Sequence, residues 1–94
     1  MLPEPLTPAD AKRLILQILQ TGTVSVSNHA RREMARDALT TVDGVNVLRS
    51  GVVEPPEWED GSWRYRVRAG RVTVVVVFRS EQALVVVTAW RGLR

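Results

Sequence analysis

The chain has 94 residues, 45% of them hydrophobic and 24% charged, with a formal net charge of +3, the balance of one small folded domain rather than a disordered segment. With no cysteine and a single histidine, a disulfide framework, a thiolate zinc site and a histidine metal cluster are excluded, so any chemistry is expected to run without metal or cofactor. No apolar run reaches the roughly 18 residues of a membrane span, and the N-terminus lacks the charged-then-apolar order of a secretion signal, which predicts a cytoplasmic protein with no membrane partner.

Thr7-Pro8-Ala9-Asp10 combines an N-cap, a proline at the first helical position and an acid in the first turn, and so opens a helix expected to reach about Gln20. Ala11, Leu14, Ile15, Ile18 and Leu19 recur at helical spacing along it, and Gly22 closes it. Thr23 to Val26 reads as a short strand. Ser27 or Asn28 caps a second helix, expected through Leu39, with Ala30, Met34 and Ala38 on one face and His29, Arg32 and Arg36 on another. Thr40 to Asp43 reads as a capping box for a short third helix with Val42, Val45 and Leu48 inward and Gly51 past its end. Pro55-Pro56 rules out helix, and Val52-Val53 and Trp58 suit an edge strand.

From Trp63 the period changes to two, with Trp63, Tyr65 and Val67 on one face and Arg64, Arg66 and Arg68 on the other. Val72 to Phe78 and Leu84 to Trp90 are valine-rich strands that complete a three-stranded antiparallel meander. The fold class is α+β, with N-terminal helices packed on one face of a C-terminal antiparallel sheet. A hairpin loop at Ala69-Gly70 and a turn at Glu81-Gln82 predict two cross-strand rows on the open face, Arg66-Thr73-Trp90 and Arg64-Val75-Thr88. The opposite face then carries Trp63, Tyr65, Val67, Val72, Val74, Val76, Phe78, Val85, Val87 and Ala89 as the core.

Residues 62 to 79 hold Arg64, Arg66, Arg68, Arg71 and Arg79 without an acid, while Glu54, Glu57, Glu59 and Asp60 cluster just before them. An indole beside guanidinium groups can stack a base and hold a phosphate. The competing reading is that Trp90 shields the end of the sheet while the arginines pair with Glu57, Glu59 or Asp60. His29, in the first turn of its helix, is the one side chain suited to proton transfer in RNA cleavage, which needs a base for the 2′-hydroxyl, cations for the phosphorane and an acid for the leaving oxygen. Arginine stays protonated and can only stabilise charge. A lone histidine at a helix start is also an ordinary surface or capping residue.

Ser27-Asn28-His29-Ala30, Met34, the strand Trp63-Arg64-Tyr65-Arg66-Val67 and the closing Val85-Val86-Val87-Thr88-Ala89-Trp90 together resemble a small bacterial family of unknown-function domains grouped with MqsR-like and RelE-like toxins. The resemblance spans roughly residues 20 to 92. It implies a RelE-like fold of the barnase/colicin/RelE type, a metal-independent mRNA endonuclease acting alone or on the ribosome, and a cognate, DNA-binding antitoxin as partner. Carried over by residue, it implies His29, Arg66 and Arg64 as catalytic and Thr88 as a site residue. Arg68, Arg71, Thr88 and Trp90 of the strands, with Arg32 and Arg36 of the second helix, are the expected RNA contacts. The sequence departs from the pattern in carrying Glu33 and Asp37 after the His-Ala pair, with Arg32 and Arg36 displaced by one position. A non-catalytic protein- or RNA-binding module using the arginine and tryptophan face is the alternative reading.

Overall fold

A computed structural model describes residues 2–93. Three helices and six strands follow one another as α1 (Pro8–Thr21), β1 (Thr23–Val26), α2 (Asn28–Arg36), α3 (Thr41–Ser50), β2 (Val52–Val53), β3 (Glu57–Glu59), β4 (Ser62–Ala69), β5 (Val72–Ser80) and β6 (Ala83–Arg91). The strands form a mixed sheet in the order β1-β6-β5-β4-β2, with β3 also paired to β4. The expected meander is therefore its centre and not its whole: β1 joins it parallel to β6, from Thr23 opposite Ala83 to Val26 opposite Val86. Alternation within Thr23–Val26 reveals a strand but not its partner, because parallel pairing is set by the chain's return across the sheet.

The N-terminal signals act locally as the residue types dictate. Thr7 accepts a hydrogen bond from the Asp10 amide and caps α1, and Ser27 does the same for the Ala30 amide at the start of α2. Helix α2 ends at Arg36, short of Leu39, because Ala38 takes a left-handed φ of 55° that a continuing helix cannot accommodate. In α3 the reciprocal Thr40–Asp43 capping box forms, but Gly44, Val47 and Leu48 face inward and Val42 is 67% exposed.

The core lies between the helices and one face of the sheet. Ala11, Ile15, Ile18, Ala30, Met34, Val47 and Leu48 meet Tyr65, Val67, Val74, Val76, Phe78, Leu84, Val86 and Ala89. The expected inward residues Val85 and Val87 are replaced by Leu84 and Val86. The cause is a β-bulge: Val75 pairs with Thr88 but Val76 pairs with Val86, so Val87 has no partner on β5, and one inserted residue exchanges the faces of everything before it on the strand.

A bulge also marks where the covering of the β6 edge changes. β1 pairs with β6 only as far as Val86. Beyond it α2 lies along the edge: Ser27 N–H donates to the Val86 carbonyl, Ser27 Oγ to the Val87 carbonyl, and Asp37 Oδ2 accepts the Arg91 amide at 2.9 Å. Helix α2 thereby takes the place of a missing strand, and its first turns reach the far face of the sheet.

A candidate anion-binding cleft with a histidine–glutamate pair

The face away from the helices forms an open cleft of about 650 Å3. The first hairpin sets its register. Gly70 occupies the first loop position with φ +58°, and Ala69 pairs with Val72, so the loop is Gly70-Arg71 rather than Ala69-Gly70. The displacement is two residues, which preserves the face of each side chain and changes its opposite number. The rows are Arg68-Thr73-Trp90 and Arg66-Val75-Thr88, not the expected Arg66-Thr73-Trp90 and Arg64-Val75-Thr88.

Of the residues expected in a site, His29, Arg64, Arg66, Arg68, Arg71, Thr88 and Trp90 all line this cleft. Arg36 borders a smaller neighbouring depression with Glu33, Asp37 and Trp90, and Arg32 lines neither. Thr73 and Val75 form the floor, each 3% exposed between the longer side chains on either side. Successive arginines on β4 are separated by about 6.7 Å along the strand, two residues of extended chain, and β4 and β6 lie about 10 Å apart across β5.

Helix α2 supplies the opposite wall. His29 Nε2 lies 3.2 Å from Glu33 Oε1, one helical turn on, and the Thr88 hydroxyl donates to the same carboxylate oxygen. The Glu33 side chain is 2% exposed while that of His29 is 59% exposed. A carboxylate so deeply placed requires polar partners, and His29 and Thr88 provide them from the helix and the sheet. Nε2 is the ring nitrogen turned toward Glu33, which leaves Nδ1 as the one not engaged by this carboxylate. Glu33 is the site residue that sequence reasoning passed over as a departure from the toxin pattern. Its signal was its spacing, one turn from both His29 and Ala30, which puts it on the inward stripe beside Met34.

The acidic segment shapes the arginine wall. Glu57, Trp58 and Glu59 of β3 pair with Arg64, Trp63 and Ser62 of β4, around a turn at Asp60-Gly61 with φ of 52° and 80°. Arg64 contacts Glu59 and Asp60, both at 3.6 Å, Arg66 contacts Glu57 at 3.2 Å, and Arg68 contacts Glu54 at 3.5 Å. The ion pairing expected of the competing reading is thus present. Arg71, at the hairpin loop, forms no ion pair among the described residues. Among those residues, too, no three histidine or carboxylate side chains are placed to hold a metal ion, and no helix is long and apolar enough to cross a membrane.

The family model described as a domain of unknown function, DUF4258, matches residues 26–91. The chain belongs to the DUF4258 family. The matched segment begins at the last residue of β1 and ends with β6, so it contains the His29–Glu33 pair, the acidic segment and every arginine of the cleft, while α1 lies outside it. Neither a curated protein nor a solved structure matches the chain.

Proposed function

We propose that this DUF4258 domain is a metal-independent endoribonuclease that cleaves single-stranded RNA by attack of a 2′-hydroxyl on the adjacent phosphate. The observation that carries the reading is the His29–Glu33–Thr88 network facing an arginine-lined cleft across two strands. In this scheme His29 takes the 2′-hydroxyl proton, the P–O2′ bond forms and the P–O5′ bond breaks. Arg66, on the same cross-strand row as Thr88, stabilises the charge that grows on the phosphorane, with Arg64 beside it. The 5′-oxygen leaves with a proton from the imidazolium or from water. Glu33 and Thr88 are positioning residues that fix the ring.

Helices packed on one face of the sheet suit the RelE-like architecture implied by the sequence resemblance. On this reading the domain is the toxin of a bacterial toxin–antitoxin pair, its substrate mRNA, free or on the ribosome, and its partner a DNA-binding antitoxin. Incubating the protein with single-stranded RNA in EDTA should yield 2′,3′-cyclic phosphate and 5′-hydroxyl ends, and expression should arrest growth. His29→Ala should lower the cleavage rate about 100- to 10,000-fold, and Arg66→Ala should relieve the growth arrest. Equal cleavage by wild type and His29→Ala would overturn the assignment.

The ion pairs on Arg64, Arg66 and Arg68 favour a second reading, a face that binds RNA or protein without turnover. It predicts RNA retention sensitive to Trp90→Ala with no cleaved product.

A further inference from the structure

We propose that the carboxylates of Glu54, Glu57, Glu59 and Asp60 select the anions this cleft accepts: they sit on the guanidinium groups of Arg64, Arg66 and Arg68 in place of phosphate, so that only a polyanion engaging several of these arginines at once is held. The inference rests on the reading of the cleft as an RNA site and adds the number of phosphates a ligand must present to be held against these competitors.

Three observations carry it. Each β4 arginine of the cleft has its own acid, Arg68 with Glu54, Arg66 with Glu57, and Arg64 with Glu59 and Asp60. Backbone pairing between β3 and β4 places Glu57 and Glu59 on the arginine side, because cross-strand partners share a face, and Trp58 packs edge-on against Trp63 at 5.3 Å on the other. The acids are therefore tethered competitors, present at a fixed high effective concentration.

The pairs are also loose. Their separations of 3.2 to 3.6 Å exceed the roughly 2.7 to 2.9 Å of a charge-assisted hydrogen bond. The acidic side chains are 36% to 82% exposed, which places such pairs among those of small net strength. The Arg64 Nε is buried and has no hydrogen-bond partner among the described residues, so its fork is incompletely filled by them. A phosphate offers short, bidentate acceptors and displaces a carboxylate held in this way. A ligand with one phosphate exchanges one weak pair for one contact and gains little, whereas an extended strand exchanges all of them in a single association event.

The test is fluorescence anisotropy with a labelled 2′-O-methylated oligoribonucleotide, which cannot undergo 2′-attack, and with a dinucleotide of the same chemistry. Glu57→Gln should bind the oligonucleotide about twofold to fivefold tighter, and the gain should vanish in an Arg66→Ala background. Combining Glu54→Gln, Glu57→Gln and Glu59→Gln should multiply the oligonucleotide gain to on the order of tenfold to a hundredfold, while the dinucleotide gains no more than a single site allows. Glu81→Gln, at the exposed β5–β6 turn, should change nothing. An unchanged or weaker affinity of Glu57→Gln, or a gain that persists without Arg66, overturns the proposal, as does an equal gain in Glu81→Gln. Thermal melts of each variant confirm that the fold is retained. Inorganic polyphosphate in the same titrations separates the two readings. If it alone binds and shows the Glu57→Gln gain, the RNA assignment fails and the selection by carboxylates stands. If RNA binds through Arg66 and ignores Glu57→Gln, the selection fails and the RNA assignment stands. If neither probe binds any variant, both fail.

Discussion

Tyr65 and Glu33 are both polar side chains buried in the fold, and they answer to different tests. The Tyr65 hydroxyl accepts the Leu6 amide and donates to Glu4 Oε2, each at 2.9 Å, while its ring packs on Phe78 at 5.0 Å. Burial pushes the phenol up to about 12, with the Leu6 amide opposing the shift and Glu4 adding to it. A folded-state value above the unfolded one keeps the proton on the native protein, so this contribution to stability is complete below pH 10 and is lost as the pH rises toward 12. The chain has one tyrosine, so its absorbance titration reports this group alone: the tyrosinate signal should appear near 12, and near 10 after denaturation. Tyr65→Phe should remove the alkaline dependence and lower stability by about 1 to 3 kcal/mol, since Leu6 N–H loses its acceptor. Glu33→Gln should leave the fold close to wild type and impair cleavage by removing the negative charge that holds the ring of His29. Glu33→Ala should also cost about 1 to 3 kcal/mol, because the Thr88 hydroxyl loses this acceptor. Cleavage at the wild-type rate in Glu33→Gln would show that the pair does not position the imidazole.

The elements differ in how far their sequences announce them. Helix starts were legible because an N-cap acts within one turn: Thr7, Ser27 and Thr40 each accept the amide three residues on. Thr40→Ala should therefore lower stability by about 1 kcal/mol, read from the denaturation midpoint. The Thr40 amide and hydroxyl hold the Asp43 carboxyl below its usual value, so the support it gives is present above the unfolded carboxylate value and disappears as the pH falls through the folded one. The end of α3 was legible as well, Gly51 following Ser50 as its C-cap, but the side chain that holds that end was not. Lys12, from α1, donates to the carbonyls of Leu48, Arg49 and Gly51 at 3.0, 2.7 and 2.7 Å, a contact across 36 to 39 residues that no local pattern encodes. Lys12→Met should destabilise by about 1 to 3 kcal/mol in the same measurement, because these carbonyls lose a charged donor. Among the strands, alternation in β4 placed Tyr65 and Val67 inward and the arginines outward correctly. The near-continuous valines of β6 could not assign faces, since Val85, Val86 and Val87 offer no contrast from which to read a period.

At the scale of the whole molecule, the Val87 bulge reconciles two demands on β6. Its first half must present Leu84 and Val86 to the helices, and its second half must present Thr88 and Trp90 to the cleft while Ala89 faces the core. Strict alternation cannot meet both, because Leu84, Val86, Thr88 and Trp90 share one parity. The inserted residue changes parity where β1 stops and α2 takes over the edge, so the chemistry of the cleft and the packing of the core meet at one backbone irregularity. Deleting Val87 should therefore spare both faces: Val86, opposite Val76, is then followed directly by Thr88, opposite Val75, and a regular strand alternates between core and cleft at that step. Val87→Ala keeps the bulge and should change stability by less than about 1.5 kcal/mol. Denaturation midpoints and cleavage assays on both variants check this. A deletion variant that unfolds far more easily than Val87→Ala, or that loses cleavage while staying folded, would show that core and cleft require the extra residue itself and not only the change of parity.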